Sequence, residues 1–191
     1  MTVYVVCDVE FDGPIPGPHS MISLGAVAIN KLGENLGEFE INFLPLENSN
    51  PNEENMNWFN NFAPEALEYT KKNQVNPKEG MIKFGNWLLD LPNPRVFAAH
   101  PAHSDYMWVN WYIKKFLKDK LEKHNREKPF FDEVLDIKTF ATALLKKDIT
   151  NIGRDTYPKD LHNNINHTHK AIDDAREYSQ LLIKLFNKAY N

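Results

Sequence analysis

Asp8 and Glu10 stand one residue apart at the end of the run VYVVCDVEF. The apolar, β-branched stretch Val3 to Cys7 reads as a buried strand. A strand alternates its side chains between two faces, so both carboxylates project from one side. Two negative groups held that close repel unless a cation sits between them, and hard divalent ions take oxygen ligands of this kind. Solvated charges at a fraying strand end are the competing reading of the triplet. A third acid, Asp105, follows the apolar stretch Arg95 to Ala99, where the chain turns into a helix. Sites in open α/β sheets gather at the carboxyl ends of parallel strands, which would bring Asp105 near the first two. Taken alone, Asp105 is equally a first-turn acid favoured by the helix macrodipole.

The last helix supplies a fourth acid. Ala171, Ala175, Tyr178, Leu182, Leu185 and Ala189 mark its buried stripe. At about 100° per residue, Asp174 lies about 60° from Ala171 and about 40° from Tyr178, on the inward face. Asp173 lies about 160° from both Ala171 and Ala175 and points to water. An inward carboxylate on an apolar face is costly unless it is paired or binds a metal. His169, five residues earlier, has an ordinary pKa near neutrality and suits proton removal from a water. It also reads as one of several exposed histidines with His162 and His167. A zinc site built from those three matches no zinc spacing.

The elements that must position these groups follow from the apolar pattern. Met21 to Ile29 and Gly37 to Leu44 read as strands around the turn Lys31 to Gly33, an antiparallel meander with the first strand. FDGPIPGPHS is a loop by its Gly and Pro content, with Pro14 to Pro18 either one wall of the site or plain connection. Pro45 to Asn57 reads as an exposed loop. Pro64 to Lys72 and Pro77 to Leu91 read as helices opened by proline. Ser104 reads as the cap of a helix running to about Leu121, with Trp108, Tyr112 and Phe116 inward. Val134 to Ile137, Lys138 to Lys146 and Ala171 to about Tyr190 complete a strand and two helices. The predicted architecture is a single α/β domain over residues 1–191. Its central sheet is mixed, antiparallel in the first three strands and then parallel, with helices on both faces.

Composition narrows the function classes. The net charge of −4 gives no global attraction to nucleic acid, but Lys114 to Lys128 carries +4 and leaves −8 on the remainder. That run is a solvated helix face or a phosphate-guiding patch. No apolar stretch approaches membrane-spanning length, and no secretory leader opens the chain. The single cysteine, Cys7, excludes an internal disulfide and fits a reducing, cytoplasmic setting. The Asn166-His167-Thr168 sequon is incidental in that setting.

Asp8-x-Glu10, Asp105 and His169-x-x-x-x-Asp174, in this order and on these elements, resemble the DEDD 3′–5′ exonuclease superfamily in its histidine branch. That branch includes ribonuclease T, oligoribonuclease and polymerase proofreading subunits. The DVEF start and the Trp58-Phe59 and Trp87 segments are most similar to its small stand-alone bacterial exoribonucleases. The resemblance implies a ribonuclease H-like fold. It also implies two divalent ions, Mg²⁺ or Mn²⁺, held by Asp8, Glu10, Asp105 and Asp174, with His169 as the base. The implied substrates are single-stranded 3′ ends, RNA ahead of DNA, shortened to nucleoside 5′-monophosphates. Phe11, Met21 and Ile22 fall where relatives contact the terminal base, whereas Trp108 is better explained by core packing. Dimers are common among relatives, so a second copy of the chain is an expected partner. Pro101 and Ser104 depart from the pattern, standing where many relatives have Asn and an aromatic. A binding module without catalysis and an endonuclease of the same fold are the competing classes.

Overall fold

In the computed structural model, which describes residues 1–118, 130–162, 165 and 167–190, the central strand is β1 (Val3–Phe11). It pairs antiparallel with β2 (Met21–Asn30), which pairs antiparallel with β3 (Asn35–Asn42). On its other side β1 runs parallel to β4 (Arg95–Ala99), which is followed by parallel β5 (Glu133–Asp136). The sheet order is therefore β3-β2-β1-β4-β5, the mixed sheet expected.

Helices α1 (Glu53–Phe62), α2 (Pro64–Thr70), α3 (Pro77–Asp90), α4 (Ala102–Phe116), α5 (Ile137–Leu145) and α6 (Ala171–Tyr190) surround it. The odd residues of β1, Val3, Val5, Cys7 and Val9, share one buried cluster with Phe84 and Leu88 of α3 and Trp108 and Tyr112 of α4. Tyr4 and Val6 belong to the opposite cluster with Leu182, Leu185 and Phe186 of α6. The period of two then carries Asp8 and Glu10 onto the α6 face as well. β1 extends to Phe11, so both acids sit on regular strand rather than beyond it.

Gly25 pairs with Asp8 across β1 and β2. A Cβ there would lie 2.3 Å from both the carbonyl carbon of Ala171 and the amide nitrogen of Ile172. Absence of a side chain lets the first turn of α6 rest directly on β2 beside Asp8.

Two boundaries differ from expectation. α1 begins inside the stretch read as a loop. Its polar surface hid the helix, which is capped by the Asn52 side chain accepting the Asn55 N–H at 3.0 Å. α4 begins at Ala102 with Pro101 as its cap residue, so Ser104 lies inside the first turn. Asp136 takes over the capping role, accepting the Ala102 N–H at 2.6 Å. α4 ends at Phe116; Leu121, the basic run from Asp119 to Lys128 and Asn166 of the sequon lie outside the described residues. Among the described residues no helix is long and apolar enough to cross a membrane.

Candidate active site

Three elements deliver four acids to one cleft. Asp8 and Glu10 come from the end of β1, and Asp105 from the first turn of α4. The Asp105 Oδ1 accepts the Val9 N–H at 3.0 Å, which ties α4 to the residue between the two strand acids. Asp174, in the first turn of α6, is 1% exposed. Asp173 lies on the outer side, with its carboxylate on Arg176 at 3.2 Å and on the Thr168 hydroxyl at 2.9 Å. The helical wheel therefore separated two adjacent aspartates correctly.

Oxygens of Asp8, Glu10 and Asp174 lie within 4.8 Å of one another. Asp105 borders the same cleft but is not in that close group. Burial lifts the carboxyl of Asp8 well above the usual range, with Asp105, Glu10 and Asp174 adding repulsion. Glu10 is raised by burial, then by Asp174 and Asp105. Burial brings Asp105 and Asp174 each up to about 7, against the lowering effect of the backbone N–H groups they accept from. Among the described residues bordering the cleft there is no lysine or arginine. These acids have converged without a cationic side chain to neutralise them.

His169 enters the cleft from the loop before α6, with a left-handed backbone at φ 57°. Its ring stands edge-on to Trp58 at 5.0 Å between centroids. Burial, then His167 and Arg154, depress its pKa, so the ring is neutral and able to accept a proton at pH 7. The cleft, of about 510 Å³, is wide enough for a nucleotide. Trp58, 41% exposed, forms part of its wall.

The expected base contacts fare unevenly. Phe11 does border the cleft, stacked on fully buried Trp108 at 5.1 Å. Met21 does not: its side chain is fully buried, and its amide donates to the Tyr112 hydroxyl at 2.8 Å. Ile22 is also turned away, packed with Phe59 and Leu67 beneath α1 and α2. Pro14 to Pro18 are absent from the cleft wall as well. Their loop is closed by Asp12 and Ser20, and Gly17 approaches Trp111. Lys115, at the described end of the basic run, lies 4.9 Å over the Trp111 ring.

Sequence reasoning passed over His167 and Glu177. The Nδ1 of His167 lies 3.2 Å from the Asp174 Oδ1 and 2.9 Å from the Glu177 Oε2. Glu177 follows Asp174 by one helical turn, a spacing that places neighbours side by side and was a usable signal. His162 is elsewhere, its Nε2 on the Tyr157 carbonyl at 2.9 Å, so the three histidines form no joint site.

A family model described as Exonuclease (RNase_T) matches residues 5–182. The chain is 25% identical over 196 residues to the 3′–5′ DNA exonuclease Cap18 of Escherichia coli, covering 97% of this chain and 92% of that protein. Among solved structures it is similar to the zinc-bound E. coli exonuclease I complex with single-stranded DNA, with a TM-score of 0.67 and 14% identity. That alignment takes in 98% of this chain and 40% of the other, so the chain spans about two fifths of exonuclease I. It is also similar to the nuclease domain of 3′hExo, a DEDDh family member bound to rAMP. There the TM-score is 0.65 at 14% identity, over 97% of this chain and 92% of that one. Such identities speak for the fold, which is the ribonuclease H-like arrangement expected. With nearly its whole length inside the family model, the chain belongs to the exonuclease family, as a 3′–5′ exonuclease.

Proposed function

We propose that this chain shortens single-stranded nucleic acid from the 3′ end and releases nucleoside 5′-monophosphates. The observation that carries the reading is the close approach of Asp8, Glu10 and Asp174, with Asp105 beside them and no cationic side chain at the cleft wall among the described residues. An all-oxygen donor set of this kind fits hard divalent ions, Mg²⁺ or Mn²⁺, two of them shared among the four acids. When bound, such ions would lower the pKa of the attacking water and stabilise the departing 3′ oxygen.

The chain's own side chains account for the rest. His169, neutral at working pH, takes the proton from the water. Asp105, fixed by the Val9 N–H, holds α4 against β1 and keeps the acid set together. Trp58 and Phe11 offer aromatic surface on which a terminal base stacks irrespective of its identity, as a sequence-tolerant exonuclease requires. Single-stranded DNA is the first substrate to try, on the likeness to Cap18, with RNA beside it.

The test is to incubate 5′-labelled single-stranded DNA and RNA with the protein and Mg²⁺ or Mn²⁺. A ladder receding from the 3′ end supports the reading. Discrete internal cuts would make the chain an endonuclease, and binding without cleavage an inactive module. Light scattering on the same sample reads whether a second copy is bound.

A further inference from the structure

We propose that His167, His169 and Asp174 form a second, nitrogen-containing metal site that takes a first-row transition ion such as Zn²⁺ and, when filled, holds the nuclease inactive. One ligand atom from each of these three residues lies within 4.8 Å of the others. The site depends on His167, which lies outside the four acids and single histidine of the hydrolytic set.

The backbone builds this juxtaposition. The left-handed turn at His169 folds the chain back, so that the two imidazoles stand 4.4 Å apart between centroids at 80°. α6 then brings Asp174 up from below, and its Oδ1 is held at 3.0 Å by the Thr168 N–H. Glu177 approaches the same Nδ1 of His167 that faces Asp174, at 2.9 Å, and holds that ring beside the Asp174 carboxylate.

Two imidazoles and one carboxylate form a borderline donor set. Such a set prefers Zn²⁺ and its neighbours over Mg²⁺, and three protein ligands leave a fourth position open. The all-oxygen group of Asp8, Glu10 and Asp174 has the opposite preference. Asp174 belongs to both groups, so the two sites compete for it. An ion held by the His169 ring also removes the lone pair that would accept a proton. Transition-ion binding and hydrolysis are then mutually exclusive.

The experiment is zinc-edge X-ray absorption on the full chain loaded with one equivalent of Zn²⁺ in excess Mg²⁺. The expected spectrum shows outer-shell scattering from two imidazoles, falling to one in either His167→Gln or His169→Gln. An all-oxygen shell, or a spectrum unchanged in His167→Gln, overturns the proposal. Because the wild-type spectrum alone is decisive, a variant that fails to fold does not rescue it. The reading needs no nuclease activity, so its outcome is separable from that of the labelled-substrate assay. In that assay, Zn²⁺ added to the Mg²⁺ reaction should inhibit the wild type. His167→Gln should need at least about tenfold more Zn²⁺ for the same fractional inhibition, since even outer-shell partners are worth ~10–100-fold in metal affinity. Equal sensitivity in the variant would also overturn the proposal.

Discussion

Along the face that β1 shares with α6, two halves of the same strand and helix have opposite chemistry. In the lower half, Tyr4 packs on Phe186 with rings 4.7 Å apart, and Val6 joins the buried cluster of Leu182 and Leu185. In the upper half, two residues further along each time, Asp8 and Glu10 meet Asp174. Backbone and register are continuous between them; the side chains change, and Asp8 and Glu10 are only partly buried where Val6 is fully so. The lower half supplies stability through apolar burial, about 1.5–3 kcal/mol for each fully buried large side chain. The upper half opposes it, because carboxylates pressed together without a cation favour their neutral forms. One surface thus carries both the glue and the load.

Breaking the upper half should have the largest effect on rate. Asp8→Ala and Asp174→Ala are each expected to lower single-turnover hydrolysis at least about 10³-fold, some 4 kcal/mol of barrier. Retained turnover in Asp174→Ala would show that the two halves are not divided as drawn. His169→Ala should slow the chemical step about 10²-fold or more. Its Mg²⁺ affinity, read by calorimetry, should stay close to wild type. A collapse of Mg²⁺ affinity would make His169 a ligand of the oxygen site instead.

The sharpest contrast is in stability. Leu182→Ala, in the lower half, should cost about 2–5 kcal/mol. Asp8→Asn, in the upper half, should raise the melting temperature of the metal-free protein at pH 8 by roughly 5 °C, equivalent to about 2 kcal/mol. The pH dependence has the same origin. Asp105 and Asp174 are lifted to about 7 in the folded chain, against about 4 when unfolded. Between those values these two acids bind more protons when folded and cost stability as pH rises. His100 and His167, held at about 4 by burial against about 6.5 when unfolded, act the opposite way below about 6.5. The metal-free protein should therefore lose stability as pH rises above about 6.5. Saturating Mg²⁺ should flatten the decline. A metal-free melting temperature that rises from about pH 6.5 to about pH 8 would contradict the picture. The smallest effect is expected from Asp173→Ala, within about twofold in rate, because its carboxylate faces Arg176 and solvent.

Much of this contrast was legible in the residues themselves. Period-two alternation placed Asp8 and Glu10 on one face, and the helical wheel turned Asp174 inward and Asp173 out. Proline-opened α2 and α3 and the apolar α6 stripe gave those helices nearly to the residue. What escaped was chemistry set by tertiary contact. α1 carries its cap and little apolar periodicity, with Phe59 its only buried residue, so its sequence resembles a loop. Met21 and Ile22 were placed by position relative to a motif, but strand burial decides exposure, and both face packed side chains. His167 looked like a loop histidine because its partners, Asp174 and Glu177, arrive only when α6 docks.

Gly25 gives that docking its ruler. The gap between strand acids and helix acid is set by an atom that is not there: a single methyl group would act as a shim under Ala171 and Ile172. The spacing of the acid cluster is therefore encoded at a residue with no functional group at all, on a strand that contributes none of the acids.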